Sequence, residues 1–144
     1  LIAEPIGLNT NRKNFKIYSK NGTTPPLYIE EIWNIMMIDE GDLDGNGTEE
    51  FGFSWRLEVG NWTTYHVYTF IDGLWHEMVS TTQYMGHWEE GFTYSSAVKP
   101  TKRKGYLKVL ESHGGEDFKK EKKTVKIDSR PIPKGIVHFG EIVE

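Results

Sequence analysis

The chain has 144 residues, 37% of them hydrophobic, and contains no cysteine. This length favours a single domain over residues 1–144, and no apolar run approaches the ~20 residues that a membrane-spanning helix needs. The lack of cysteine excludes disulfide frameworks, thiolate nucleophiles and cysteine-based metal sites.

The net charge of −4 is divided unevenly along the chain. Residues 1–98 hold 5 basic and 14 acidic side chains, whereas residues 99–134 hold 12 basic and 5 acidic ones. We interpret the basic segment 99–134 as solvated hairpin faces and edge-strand lysines, with attraction of an acidic partner as the alternative. Nucleic-acid binding is not expected, because only Tyr106 and Phe118 lie near these charges to stack on bases.

Short apolar stretches separated by Gly, Asn, Asp and Pro are typical of a β-protein. Residues 14–19 alternate and predict a first strand, which the Asn21-Gly22 turn ends. Residues 28–38 are ambiguous, because their apolar side chains also fit one face of a helix. We expect a strand there from about Trp33 onward, since the segment runs into a turn.

An acidic loop follows over residues 42–50, with the sequence Asp-Leu-Asp-Gly-Asn-Gly-Thr-Glu-Glu. Oxygen-bearing side chains stand at its first, third, fifth and ninth positions, and glycine at the sixth allows the sharp turn that makes alternate side chains converge. A hard divalent cation needs about six to eight oxygens, and calcium exchanges its water for protein ligands more readily than magnesium. The spacing therefore predicts a calcium site.

The predicted ligands are the side chains of Asp42, Asp44, Asn46 and Glu50 and the main-chain carbonyl of Thr48. An EF-hand would need a glutamate at the twelfth position and flanking helices, but that position is Phe53 and both flanks have the pattern of strands. We expect a β-flanked loop that holds a structural rather than a catalytic ion. An acidic turn without metal is the alternative.

The alternation is cleanest over residues 50–58, where Phe51, Phe53, Trp55 and Leu57 form a predicted core face and polar residues form the other. One face of this strand is therefore expected to pack on the core.

Residues 64–71 and 74–80 predict a hairpin, because Asp72-Gly73 supplies the positive φ angles of a type I′ turn. Further strands are expected over residues 93–98, 105–112, 122–128 and 136–143. About eight or nine strands result, which predicts an all-β fold: an antiparallel sandwich or curved sheet with one β-flanked calcium loop.

The stretch from Gly41 to Phe53, followed by the 65–79 hairpin, resembles the calcium-loop unit of FG-GAP and VCBS repeat proteins. It is also similar to small exported proteins of Bacteroides-type bacteria that carry one such unit. The resemblance covers residues 35–80 and assigns the same ligand roles as the spacing does. A propeller needs at least four blades of about 40 residues, too many for this chain, so one unit within a larger sheet is implied.

Calcium loops of this type are filled where calcium is millimolar, which favours a periplasmic, cell-surface or secreted location. The chain begins with Leu1, and we expect any signal peptide to have been removed.

The remaining candidates for chemistry are weaker. Five histidines have no zinc-ligand spacing, and we interpret them as ordinary residues of sheet surfaces, with His66 and His76 facing each other across the hairpin as the alternative. Adjacent carboxylates on one strand point to opposite faces and cannot flank one glycosidic bond. Trp62 and Trp88 are the tryptophans expected to be exposed, as part of a binding surface.

These observations predict an exported, calcium-stabilised binding protein that is not an enzyme. A protein partner is expected, for instance a secreted toxin that an inhibitor or immunity protein would block. A carbohydrate-binding module is the alternative, and a glycan-active enzyme comes third.

Overall fold

The computed structural model describes residues 2–9, 12–45, 47–57, 61–88, 90–94, 97–114 and 119–144. These residues form twelve β-strands and one short 3-10 turn, Met85–His87. The strands are β1 (Ile2–Asn9), β2 (Arg12–Tyr18), β3 (Leu27–Gly41), β4 (Glu50–Arg56), β5 (Trp62–Ile71), β6 (Leu74–Tyr84), β7 (Val98–Pro100), β8 (Tyr106–His113), β9 (Lys119–Lys126), β10 (Arg130–Ile132), β11 (Ile136–His138) and β12 (Glu141–Ile142). The prediction of an all-β fold is confirmed, and the described strands form no closed barrel. No helix in the described part of the chain is long and apolar enough to cross a membrane.

Strand β3 organises the architecture because it belongs to two sheets. Its first residues pair with β2 and, in parallel, with β11, whereas its later residues pair with β4. The pairing with β2 shifts register between Ile29 and Ile32, where Glu31 has a φ of 58°, and the pairing with β4 shifts between Trp33 and Met36. The helical alternative for residues 28–38 is therefore wrong, and the strand begins earlier than predicted, at Leu27.

The strands form three layers. We call β1-β2-β3 with β11 and β12 the outer sheet, β3-β4-β5-β6-β10 the central sheet, and β7-β8-β9 the small sheet. One hydrophobic core lies between the outer and central sheets and includes Ile29, Trp55 and Tyr68. A second core lies between the central and small sheets and includes Val67 and Leu107. Because both faces of the central sheet are covered, β5 is buried along most of its length.

The second core corrects one sequence-based expectation. Only one face of β4 was expected to pack on the core, but Glu50, Gly52 and Ser54 on its other face are buried as well. The small sheet and the acidic loop cover this face, and their packing depends on residues distant in the sequence.

The structure contains more strands than the eight or nine predicted. Strand β1 was missed, and β10 was missed because it is short and contains Pro131, which removes a backbone donor. The predicted strand 136–143 is a tight hairpin, since Phe139 and Gly140 have φ angles of 53° and 82°. The predicted turn at Asp72-Gly73 is confirmed, with φ angles of 52° and 78°.

Candidate metal centre

The acidic loop connects two neighbouring strands of the central sheet. Strand β3 ends at Gly41 and β4 begins at Glu50, so the loop is flanked by strands as predicted. Gly47, at the sixth position, has a φ of 90°, a conformation that glycine adopts at little cost. The sharp turn predicted at the sixth position of the loop is therefore present at Gly47.

Three carboxylates converge inside this loop. Asp42, Asp44 and Glu50 each offer an oxygen, and these oxygens lie within 4.8 Å of one another. Asp42 is exposed, Asp44 is half-buried and Glu50 is fully buried, so the group extends from the surface towards the second core. Like charges this close repel, which costs on the order of a few kcal/mol without a compensating cation.

Hydrogen bonds to Asp42 shape the outer part of the loop. The backbone N–H groups of Gly45 and Gly47 donate to its two carboxylate oxygens, at 2.9 Å each. A side chain that accepts from its own loop in this way holds the turn in one conformation. The first predicted ligand is therefore prepositioned at the loop surface.

Glu50 closes the loop from the inside. The N–H of Leu43 donates to Oε2 at 2.6 Å, and the hydroxyls of Thr48 and Thr69 donate to Oε1 at 3.3 and 3.2 Å. Burial raises the pKa of Glu50 to about 7, the Leu43 hydrogen bond opposes that rise, and the charge of Asp44 adds to it. The carboxylate form is thus disfavoured unless positive charge comes near.

The structure brings together three of the five predicted ligands. Thr48 lies beside them and donates its hydroxyl to Glu50. Asn46 lies outside the described residues. The gathered donors are all carboxylate oxygens, which suit a hard cation and not a soft one, so the acidic triad could hold a metal ion.

The two tryptophans expected on a binding surface are both half-buried. Trp62 packs against Tyr84, with ring centroids 5.4 Å apart. Trp88 stacks on Phe92 at 4.6 Å, and its buried Nε1 has no hydrogen-bond partner among the described residues. Both rings therefore support neighbouring aromatic side chains.

A buried polar network was missed by the sequence analysis. His66 is 8% exposed and lies under Trp55, whose ring is parallel to the imidazole at 4.3 Å. Its Nδ1 pairs with Glu77, which also pairs with Arg130, and its Nε2 lies 2.9 Å from Thr64 Oγ1. The interpretation of His66 as a sheet-surface residue is therefore wrong.

The surroundings of His66 also bear on a pairing with His76 and on a role as a catalytic base. His76 pairs with Thr69 across the hairpin and cannot face His66, because Tyr68 and His66 occupy the other face. The order hydroxyl, imidazole, carboxylate resembles a nucleophile with its base. Thr64 and His66 are each only 8% exposed, so their neighbours largely cover this arrangement.

Comparison with known proteins adds no relative. No family model matches the chain, no curated protein matches it significantly, and no solved structure does either.

Proposed function

We propose that this chain is an exported, non-enzymatic binding protein whose fold is stabilised by a calcium ion in the acidic loop. One observation carries the metal proposal: the fully buried Glu50 lies within 4.8 Å of two further carboxylates. A buried carboxylate needs compensation, and polar hydrogen bonds alone do not remove the repulsion from Asp42 and Asp44.

The donor set favours calcium over other ions. Asp42, Asp44 and Glu50 would hold the ion, with Asn46 and Thr48 as further predicted ligands. Magnesium keeps most of its waters and is served by one or two carboxylates, whereas calcium accepts many protein oxygens in a flexible arrangement. When bound, calcium supplies positive charge that offsets the three carboxylates and adds no reaction chemistry of its own.

The proposed role of the ion follows from the position of the loop. Leu43 belongs to the second core, and its N–H is tied to Glu50 at the first residue of β4. Holding Asp42, Asp44 and Glu50 together would therefore fix the connection between β3 and β4 and the adjacent part of that core. Stability of the central sheet, rather than catalysis, is what such an ion would control.

Two further observations support the exported location and the protein partner. A loop of this kind saturates at extracellular calcium concentrations of about 10⁻⁴–10⁻³ M, which supports an extracytoplasmic setting. The uneven charge along the chain supports recognition of a charged partner.

Calorimetric titration of the chelated protein tests the metal proposal directly. We expect saturable heat with calcium and much weaker heat with magnesium at the same concentration. A titration without heat at millimolar calcium would overturn the proposal, leaving an acidic turn that needs no ion.

A further inference from the structure

The small sheet separates its charges between two faces. Strands β8 and β9 pair without a register shift from Tyr106 to His113. Since successive side chains alternate, Lys108 lies on the same face as three lysines of β9, namely Lys120, Lys122 and Lys126. All four are exposed, and we call this side the cationic face.

The acidic residues of the same hairpin lie on the opposite face. Glu111 and Glu121 are cross-strand partners there, and the Lys123 ammonium lies 3.1 Å from Glu111. His113 also lies close to both carboxylates. Lys119 and Lys123 share this face with the two glutamates, whereas the cationic face carries no acidic residue of β8 or β9. The cationic face therefore has the character of a surface for a negatively charged partner.

A hollow of about 210 Å³ opens at one end of the cationic face. It is lined by Leu110, Lys120 and Lys122 of the hairpin and by His87, Glu90, Gly91 and Phe92 from the segment after β6. This volume is below the ~300–1,000 Å³ of pockets that enclose a drug-sized ligand. It suits one ring of a longer molecule that continues along the sheet.

An aromatic platform supports one wall of the hollow. The ring of Phe92 stacks on Trp88 at 4.6 Å with an angle of 13°, and Trp88 meets Tyr94 edge-on at 5.5 Å. The platform is therefore held by packing on its far side. An aromatic face next to ammonium donors and a carboxylate acceptor matches a sugar ring, which has apolar C–H faces, hydroxyl groups and, in acidic sugars, an anionic substituent.

The rest of the face favours a polysaccharide over a nucleic acid. Single-stranded nucleic acids are bound through aromatic rings on which successive bases stack. Beyond the hollow the only aromatic residue of β8 is Tyr106, and the Arg103 guanidinium covers its ring at 4.0 Å. On the cationic face of β9, Lys120 and Lys122 are instead two residues apart, about 6.6 Å, and Lys126 follows after Thr124. These lysines provide charge without base recognition.

We propose that the cationic face binds an anionic polysaccharide, with one acidic sugar in the hollow beside Phe92 and the following charges on Lys108 and Lys126. This inference goes beyond the proposed function, because it adds a polysaccharide ligand to the protein partner proposed above. It uses none of the loop residues, so the calcium proposal and the polysaccharide proposal can fail separately.

Calorimetric titration tests the polysaccharide proposal with three probes: a heparin hexasaccharide, an oligogalacturonate hexamer and a neutral cello-oligosaccharide. All titrations contain EGTA, so that calcium plays no part. We expect binding of at least one anionic probe and none of the neutral one. The double variant Lys120→Gln/Lys122→Gln should weaken that binding about tenfold and lower its salt dependence. The control Lys20→Gln/Lys134→Gln removes the same charge at exposed positions outside the small sheet and should change binding less than about twofold.

Phe92→Leu provides a second variant that keeps all charges and removes the platform. We expect it to weaken binding about fivefold at unchanged salt dependence, since base and sugar stacking contribute on the order of 1 kcal/mol. The proposal would be overturned if the two lysine variants lost equal affinity, or if neither anionic probe bound at low salt. Tighter binding of a single-stranded oligonucleotide than of either polysaccharide probe would also overturn it.

Discussion

The ring of Tyr65 occupies the space that a side chain on Gly52 would fill. The two residues lie on neighbouring strands, where Gly52 pairs with Val67, and a Cβ placed on Gly52 would lie 2.6 Å from Cε1 of Tyr65 and closer still to its hydroxyl end. Tyr65 is fully buried and donates its hydroxyl to Glu40. Gly52 is thus required by packing rather than by its backbone conformation.

Gly52→Ala is therefore expected to destabilise the protein by about 1–3 kcal/mol, the usual cost of overpacking a core. Gly114→Ala is the matched control, because its Cβ would meet Trp62 at an ordinary 3.5 Å. Chemical denaturation of both variants measures the difference. If the two substitutions changed the free energy of unfolding equally, the close packing of Tyr65 on Gly52 would be disproved.

Trp75 fastens the chain before β3 to the central sheet. It is 3% exposed, its ring meets Phe70 at 5.4 Å, and its indole N–H donates to the Pro25 carbonyl at 2.8 Å. Trp75→Phe removes this hydrogen bond and part of a buried ring, and should lower the free energy of unfolding by about 1–3 kcal/mol. The half-buried Trp62 serves for comparison, and Trp62→Phe should cost less than about 1 kcal/mol in the same denaturation experiment.

Local patterns in the sequence were sufficient for part of this structure. The hairpin at Asp72-Gly73 and the turn at Gly47 depend on residues adjacent in the chain, and both are where the sequence indicated. Alternation identified Phe53 and Trp55 as core residues, and both are buried. These features can be predicted from neighbouring residues alone, because they do not depend on which elements pack against the strand.

Other features depend on contacts between distant residues and could not be read from the sequence. The burial of Glu50 requires Thr69, 19 residues away, and the packing of the small sheet. Glu77 and His66 meet because the tight turn places Glu77 opposite Tyr68, on the face that His66 shares. A histidine pair across this hairpin was the alternative drawn from the sequence, whereas the structure pairs His66 with a carboxylate.

The pairing of Glu77 makes stability depend on pH. Burial opposes its charge, but hydrogen bonds and attraction from His66 and Arg130 outweigh burial and lower the pKa of Glu77 below its ordinary 4.5. With a lowered pKa in the folded state, the unfolded chain binds more protons between the two values. The stabilisation is complete above pH 4.5 and is lost as the pH falls through the lowered pKa.

Glu77→Gln should accordingly be destabilised by about 1–3 kcal/mol at neutral pH, with a difference from the parent protein that shrinks below pH 4.5. Urea unfolding at several pH values measures this. The exposed Glu141 gives the control, since Glu141→Gln should track the parent protein throughout. A Glu77→Gln deficit that stayed constant down to pH 3 would show that the charge of Glu77 is not the cause.

Asp44 allows the calcium proposal to be separated from a merely structural acidic turn. Without calcium, Asp44→Asn removes repulsion among three close carboxylates and should raise stability by on the order of 1 kcal/mol. With calcium at a hundred times its dissociation constant, the parent protein should gain about 2.7 kcal/mol, whereas the variant should gain much less because it lacks one ligand. The order of the two melting temperatures should therefore reverse between EGTA and calcium.

Asp128→Asn removes the same charge from an exposed position outside the loop and should show the parent's response to calcium. Thermal unfolding of the three proteins, each in EGTA and in millimolar calcium, makes the comparison. A reversal confined to Asp44→Asn can arise only if Asp44 both repels its neighbours and contributes to holding the ion. Parallel calcium responses in all three proteins would place the ion elsewhere and leave the loop as a hydrogen-bonded turn around Glu50.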